Sequence, residues 1–296
     1  MLVRIIPRLD IKGPNLVKGI HLEGLRVLGK PEQFARHYYE HGADELLFVD
    51  IVASLYGRNS LLDIVGRTAR EIFIPLAVGG GLRTMEDIRT VLRAGADKVS
   101  VNTAAVRRPE FIREAARRFG SSTIVVSIEA IRHSDGSYEA YTDNGREKTG
   151  LSAVEWAVRA SELGAGELLV TAVHREGTGL GYDLELTRRI ATSVPIPVIA
   201  SGGAGTILHV GEVVLHGMAD AVCAASLLHY NVLRHQPIEG EFDPKINLEH
   251  LRSASGFARI QDIGLEELKT YLTSQGIATR SIAKDTFNEA MGRLDE

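Results

Sequence analysis

The sequence has a single cysteine, Cys223, among 296 residues, so no disulfide can form within the chain. That cysteine lies in an apolar strand-like run, where a buried, unreactive thiol is the expected state. No apolar run approaches the ~18 residues that a membrane-spanning helix needs, and no signal peptide precedes the first strand-like segment. We therefore expect a cytoplasmic protein without a membrane partner.

An excess of charge of one sign is also absent. The chain carries 34 Lys and Arg against 38 Asp and Glu, a formal net charge of -4, and no block of like charge stands out. Nothing draws the whole surface toward nucleic acid or anionic lipid, so any phosphate site must be local. The ten histidines are scattered without a ligand spacing such as HExxH, and we expect no metal.

What the sequence does contain is an internal repeat. The segments IPLAVGGGLRTMEDIRTVLRAGADKVSVNT (74–103) and IPVIASGGAGTILHVGEVVLHGMADAVCAAS (196–226) each read as strand, glycine turn, helix and strand. A glycine turn that leaves a strand lets backbone N–H groups approach an anion closely. One copy alone would leave a purely structural turn equally open, whereas the duplication predicts two phosphate-binding sites.

Strand and helix patterns alternate along most of the chain. Eight strand–helix units can be counted when the last helix is placed at 265–274. This is the pattern of an α/β (βα)8 TIM barrel whose site lies at the C-terminal ends of the strands. We predict one barrel over residues 1–281, duplicated as half-barrels of about 1–120 and 121–281; a doubly wound open sheet is the alternative.

Three stretches depart from this alternation. Residues 13–30 are rich in turn formers, which predicts a mobile loop with short strand character around 16–22. Residues 138–142 run into Asp-Asn-Gly, a β-hairpin signal. An insertion at about 228–262 and a C-terminal tail at 282–296 have weak periodicity and no assigned role.

Acidic residues end two strands that correspond in the two halves. Asp10 follows RIIPRL and Glu129 ends STIVVSIE, so a duplicated barrel places them on opposite sides of its mouth. Two carboxyl groups facing one mouth suit general acid–base catalysis. An elongated ligand with a phosphate at each end would fit between the two glycine turns.

Several segments together resemble the cyclase subunits of imidazole glycerol phosphate synthase, (βα)8 barrels of histidine biosynthesis: RIIPRLDIKG, LVKG, GADELLFVDI, GRNSLLDIV, FIPLAVGGGLRT, RAGADKVSVNTAAVRRPE, GYDLELTR, IPVIASGGAG and LEELKTYL. The resemblance covers residues 1 to about 227 and about 264 to 280. It implies a lyase that converts a linear ribonucleotide with two phosphates, together with ammonia, into imidazole glycerol phosphate and an aminoimidazole carboxamide ribotide. It implies no cofactor.

The resemblance also implies the roles of particular residues. Asp10 and Glu129 match the catalytic positions. The positions that match a loop lysine and two phosphate sites are Lys18, Gly80, Gly81, Asn102, Thr103, Gly177, Gly203, Ala225 and Ser226. Independently of the resemblance, residues at or just after strand ends are also expected to bind substrate or phosphate: Asp50, Thr171, His174, Glu176 and Gly202.

A further set of charges matches the opposite, N-terminal face. Arg4, Glu45, Lys98 and Glu167 correspond to a gate through which ammonia enters the barrel from a glutaminase subunit, and Asp97 fits a contact with that partner. A structural cluster of ion pairs is the alternative interpretation of the four gate residues.

Four positions depart from the family pattern. Glu129 replaces an aspartate, His174 and Glu176 replace two more, and Arg8 stands where a small residue is usual. Strand parity is taken to point Arg8 away from the side of Asp10, so we interpret it as surface-facing or as packing within a barrel layer.

These departures leave three functional hypotheses. The first is the histidine-pathway cyclase subunit. The second is a paralogous amidotransferase subunit that modifies another compound, such as a sugar nucleotide in surface polysaccharide synthesis. The third is a non-catalytic scaffold that activates a glutaminase. The altered His174 and Glu176 favour the second hypothesis, and the intact phosphate sites favour the first, which is preferred. Retention of Asp10, Lys18 and both glycine turns together argues against the third.

Overall fold

The computed structural model describes residues 2–21, 23–51, 61–235 and 259–281. Twelve strands lie in these ranges: β1 (Arg4–Lys12), β2 (Asn15–Ile20), β3 (Glu23–Gly29), β4 (Leu46–Asp50), β5 (Leu76–Gly79), β6 (Lys98–Val101), β7 (Ile124–Arg132), β8 (Tyr138–Thr142), β9 (Glu147–Ser152), β10 (Glu167–Ala172), β11 (Val198–Ser201) and β12 (Ala221–Ala224).

Eight of these strands close into a parallel barrel. Their order around the barrel is β1, β4, β5, β6, β7, β10, β11 and β12. Strand β12 pairs back to β1, and β7 pairs directly with β10. These closing pairs exclude the open sheet and confirm the predicted (βα)8 TIM barrel.

Ten helices lie in the same described ranges, and most of them follow barrel strands. They are α1 (Pro31–Glu40), α2 (Leu62–Thr68), α3 (Met85–Ala94), α4 (Thr103–Arg107), α5 (Glu110–Phe119), α6 (Ala153–Glu162), α7 (Leu184–Ala191), α8 (Ile207–Leu215), α9 (Ser226–His235) and α10 (Leu265–Ser274). None of these helices is long and apolar enough to cross a membrane.

The first strand of each half-barrel continues into an antiparallel ribbon. Strand β1 pairs with β2, which pairs with β3, and β7 pairs in the same way with β8 and β9. The hairpin predicted after residues 138–142 is confirmed. The predicted loop over residues 13–30 is wrong for most of its length, because two paired strands occupy it and most of its turn formers stand near their ends. The strand character expected around 16–22 is found in β2.

The duplicated segments share hydrogen bonds as well as sequence. Thr84 caps α3 in a reciprocal capping box, and Thr206 caps α8 in the same way. The Asp97 carboxylate accepts the backbone N–H of Leu76 at 2.9 Å. The corresponding Asp220 carboxylate accepts the N–H of Val198 at 2.8 Å. These matched contacts support the twofold duplication of half-barrels.

The barrel interior contains a compact apolar layer. It consists of inward-facing residues of seven of the barrel strands: Ile6, Leu47, Ala77, Val125, Leu169, Ile199, Ala221 and Cys223. Alternate residues of a barrel strand point inward, so this layer separates polar residues at the two ends of the barrel. Cys223 is buried as expected, and burial raises the pKa of its thiol to about 12.

The predicted insertion begins within a regular element. Helix α9 covers 226–235, so the first residues assigned to an insertion at 228–262 belong to the helix that follows β12. Residues 236–258 and the tail at 282–296 lie outside the described residues. An ion pair connects helix α10 to the barrel, because Lys269 Nζ donates to the Asp44 carboxylate at 2.7 Å.

Candidate active site

The C-terminal ends of the barrel strands surround two cavities. The larger, of about 270 Å³, is bordered by six predicted site residues: Asp50, Gly80, Gly81, Asn102, Thr103 and Glu129. The smaller, of about 10 Å³, is bordered by six others: Glu176, Gly177, Gly202, Gly203, Ala225 and Ser226. The two copies of the repeat therefore build two separate concave sites at one end of the barrel.

Backbone packing explains the glycine at position 80. Gly80 has φ +95, and a Cβ placed on it would lie 2.2 Å from the Asp50 carbonyl oxygen. Gly203 in the second copy has φ +110, and its Cβ would lie 2.1 Å from the Gly181 carbonyl oxygen. Each turn thus needs glycine for its left-handed conformation and for close contact with a neighbouring loop.

The two predicted catalytic carboxyl groups stand on opposed strands. Asp10 belongs to β1 and Glu129 to β7, which are four strands apart in either direction around the barrel. Glu129 is half-buried in the larger cavity and accepts the backbone N–H of Gly145 at 2.8 Å. Asp10 is 2% exposed and does not border either cavity.

Asp10 belongs to a buried chain of alternating charges. Arg8 Nε donates to Asp10 Oδ1 at 2.7 Å, and Lys18 Nζ donates to Asp10 Oδ2 at 3.3 Å. Lys18 also donates to the Glu176 carboxylate. All four residues are at most 5% exposed, and their formal charges cancel. The structure therefore joins β1, the first ribbon and the loop after β10 through one ionic cluster.

The position of Arg8 corrects the sequence interpretation. Residues i and i+2 of a strand point to the same face, so Arg8 and Asp10 both point into the barrel, and the parity argument that separated them was wrong. Arg8 borders both cavities. It therefore lies at the centre of the mouth.

The two carboxyl groups differ in their electrostatic surroundings. Burial alone would raise the pKa of Asp10, but Arg8 and Lys18 outweigh it and hold that pKa below its usual range. Burial raises the pKa of Glu129 to about 6, although the Gly145 N–H opposes the shift. Asp10 is thus an anion across the neutral range, whereas Glu129 titrates near neutral pH.

The predicted gate residues form a closed ring at the opposite end of the barrel. Arg4 lies 2.8 Å from Glu45 and 3.1 Å from Glu167. Lys98 lies 2.9 Å from Glu45 and 3.1 Å from Glu167. Each cation therefore pairs with both carboxylates, and the ring covers the apolar layer from the N-terminal side.

Three predicted binding residues border neither cavity: Lys18, which belongs to the ionic cluster with Asp10, Thr171 and His174. His174 Nε2 lies 3.2 Å from the Asp183 carboxylate, which also accepts the Tyr138 hydroxyl at 2.9 Å and the Leu186 N–H at the start of α7. Thr171 is the pairing partner of Glu129 on the neighbouring strand. His174 thus supports a helix N-terminus rather than the mouth.

Sequence reasoning missed several cations of the larger cavity, namely Arg8, Arg83, Arg107 and Arg108. Arg107 also pairs with Asp143 at 3.2 Å. Arg83 lies two residues after Gly81, and Arg107 lies one helical turn after Thr103, so the spacing to the glycine and polar residues could have revealed both.

The architecture defines a class: (βα)8 barrels built from duplicated half-barrels with paired sites at the C-terminal ends of the strands. A sequence profile of the family described as "Histidine biosynthesis protein" matches residues 4–234. The chain belongs to this family.

Two relatives carry the same name. The protein called "Imidazole glycerol phosphate synthase subunit HisF" of Legionella pneumophila is 57% identical over 205 residues, which are 69% of this chain and 97% of that protein. The protein of that name from Alkaliphilus metalliredigens is 52% identical over 228 residues, 77% of this chain and 90% of the relative. These names support the first of the three functional hypotheses and add nothing for the other two.

Proposed function

We propose that this protein is the cyclase subunit of an imidazole glycerol phosphate synthase and acts in histidine biosynthesis. Its family membership and its relatives support this role. The main structural support for the proposed chemistry is the placement of Asp10 and Glu129 on opposite sides of the barrel. Each stands on a strand that lies between the two glycine-lined cavities. A linear substrate with a phosphate at each end would bring its middle between these carboxyl groups.

The two cavities hold the substrate by its ends. Backbone N–H groups of the glycine turns donate to phosphate oxygens, and the arginines of the larger cavity add positive charge. Holding both ends fixes the reacting carbon relative to the incoming ammonia. Such orientation is worth up to about 7–11 kcal/mol of the barrier in favourable cases.

Ammonia reaches this carbon along the barrel. It passes the ring of Arg4, Glu45, Lys98 and Glu167 and then the apolar layer that begins at Ile6 and Leu47. An apolar passage admits neutral ammonia and disfavours ammonium, because an unpaired charge is costly to bury. The layer therefore delivers the nucleophilic form.

The reaction requires proton transfers in both directions. The nitrogen lone pair of ammonia attacks the substrate carbonyl carbon, and the C=O π pair moves to the oxygen. Two protons then pass from the new nitrogen to the oxygen through a carboxylate and its conjugate acid: the first gives the carbinolamine, and the second accompanies cleavage of the C–O bond, so that water leaves as the nitrogen lone pair forms the C=N bond. We assign these transfers to the mouth that Asp10 and Glu129 face from opposed strands.

The ammonia comes from a glutaminase subunit that docks on the N-terminal face. Asp97 is exposed there although its carboxylate also accepts the Leu76 N–H. Phe73, beside it in one surface groove, is 82% exposed. An apolar side chain next to a carboxylate is typical of the zone where the apolar core of a protein interface meets its polar rim.

Rescue of a histidine auxotroph that lacks its own cyclase subunit tests the proposed function. The gene, expressed together with its glutaminase partner, should restore growth without histidine. The Asp10→Asn variant, produced at the same level, should not restore growth. Failure of the wild-type gene when both subunits are soluble and associated would refute the assignment to histidine biosynthesis.

A further inference from the structure

The two carboxyl groups of the mouth have unequal partners. Each oxygen of Asp10 has its own cation, Arg8 on one side and Lys18 on the other. Glu129 has no cation within ion-pair distance among the described residues, and its carboxylate accepts a hydrogen bond from the neutral Gly145 N–H. In a family member with a small residue at position 8, the aspartate would have a single cation partner, the lysine that corresponds to Lys18.

We propose that Arg8 is a positioning residue that divides the work of the two carboxyl groups: it fixes Asp10 as a permanent anion and leaves Glu129 as the group that exchanges protons. This inference rests on the proposed function. It adds the assignment of roles, which neither the fold nor the family membership supplies.

Arg8 is held in place through both its guanidinium and its backbone carbonyl. Its Nε donates to Asp10, and its Nη1 lies 3.5 Å from the Ser201 hydroxyl across the mouth. Behind it, His229 Nε2 lies 2.9 Å from the Arg8 carbonyl oxygen, and the Tyr38 hydroxyl lies 2.6 Å from His229 Nδ1. Burial lowers the pKa of His229 to about 3, so the ring is neutral and donates from Nε2 while Nδ1 accepts from Tyr38.

The planar shape of arginine matters at this position. Guanidinium keeps its charge at every accessible pH and presents several N–H groups in fixed directions. With Nε committed to Asp10 and Nη1 near the Ser201 hydroxyl, Arg8 still borders both cavities. The same residue can therefore hold Asp10 and face the middle of the substrate.

Other charged groups around Asp10 reinforce its ionised state. Lys18 packs from strand β2 and is itself held by Glu176 from the loop after β10. Cys223 from β12 and His229 from α9 also face this cluster, and both are neutral because burial opposes their charged forms. Two cations and one further carboxylate thus surround the Asp10 carboxylate.

The surroundings of Glu129 have the opposite effect. Asn102 and the Gly145 N–H contribute neutral dipoles, and Asp143 contributes a like charge. Arg8 acts on Glu129 only from beyond ion-pair distance. Glu129 can therefore accept a proton from the substrate nitrogen and return it to the leaving oxygen, while the Asp10 anion stabilises the positive charge that develops between these steps.

A direct titration tests this assignment without any turnover. Carboxyl carbons are labelled with ¹³C in the wild-type protein, and the resonances of the two groups are identified by their loss in Asp10→Asn and Glu129→Gln. We expect Glu129 to titrate near pH 6 and Asp10 to stay ionised down to the lowest pH at which the protein is folded. Titration of Asp10 at or above the pH of Glu129 would overturn the proposal, even in an active enzyme.

The pH profile of Arg8 variants gives a second readout. Activity is measured as kcat/KM at constant free ammonia, so that protonation of ammonia does not enter the profile. The wild type should lose about tenfold per pH unit below about pH 6, because one group must be ionised. Arg8→Gln should lose more than tenfold per pH unit at the acid end of the profile, because removal of one of the two cations on Asp10 raises its pKa and a second ionised group then titrates within the measured range.

Arg8→Lys is the matched control. It retains the positive charge and should retain the single-group profile, with a lower kcat because the forked geometry is lost. A purely structural role would lower activity in Arg8→Gln equally at every pH, and that result would overturn the proposal. Absence of turnover in the wild type would instead count against the proposed function, and the ¹³C titration would still decide the assignment.

Discussion

Replacement of Gly80 by alanine tests whether the glycine turn is fixed by packing. The backbone of Gly80 has φ +95, and an added Cβ would meet the Asp50 carbonyl oxygen at 2.2 Å. A non-glycine residue in such a conformation costs about 1–3 kcal/mol, and forcing neighbouring backbone apart costs about 1–3 kcal/mol more. Gly80→Ala should therefore lower the free energy of unfolding by about 2–6 kcal/mol.

Urea and thermal unfolding measure this loss. For a chain of this size each kcal/mol corresponds to about 2–4 °C in Tm, so a decrease of about 4–24 °C is expected. Gly136→Ala is the matched control, because Gly136 has φ +82 but an added Cβ there would have nothing within 4 Å. Equal losses in the two variants would show that the left-handed backbone, rather than the contact with Asp50, determines the glycine.

Three further predictions concern the charges and the thiol. Arg8→Gln and Asp10→Asn should each lower the free energy of unfolding. A double-mutant cycle measured in urea should give a coupling free energy of about 1–3 kcal/mol. Independent effects of the two changes would contradict the ion pair at 2.7 Å. Lys98→Met should lower glutamine-driven turnover far more than ammonium-driven turnover, because it opens the ring around Glu45; equal losses would contradict a gate. The Cys223 thiol should not react with a thiol reagent until the protein unfolds, because burial raises its pKa to about 12, and rapid reaction of the folded protein would contradict that burial.

The fold could be predicted because its signals are local and repeated. Strand lengths, glycine turns and the helix caps at Thr84 and Thr206 recur at corresponding positions of the two halves. Residues 13–30 escaped prediction because turn formers were counted without their positions. They mark the ends of two ribbon strands, and the apolar residues between them pack on the barrel.

The site was only partly predictable because ion pairing depends on side chains distant in sequence. The opposed strands of Asp10 and Glu129 follow from the duplication. The pairing of Lys18 with Glu176 joins residues 158 positions apart, and no local pattern indicates it. His174 was expected at the mouth, yet its ring lies beside Asp183, because a short 3-10 turn at Val173–Arg175 redirects the chain after β10.

Ammonium-driven synthesis by the purified protein tests the central claim most directly. The linear phosphorylated ribonucleotide and an ammonium salt are supplied without glutaminase, and imidazole glycerol phosphate is measured. The wild type should form this product, and Asp10→Asn should lose it while remaining folded by circular dichroism. No product from the folded wild-type protein at saturating ammonium and substrate would contradict the claim that this barrel is itself the cyclase.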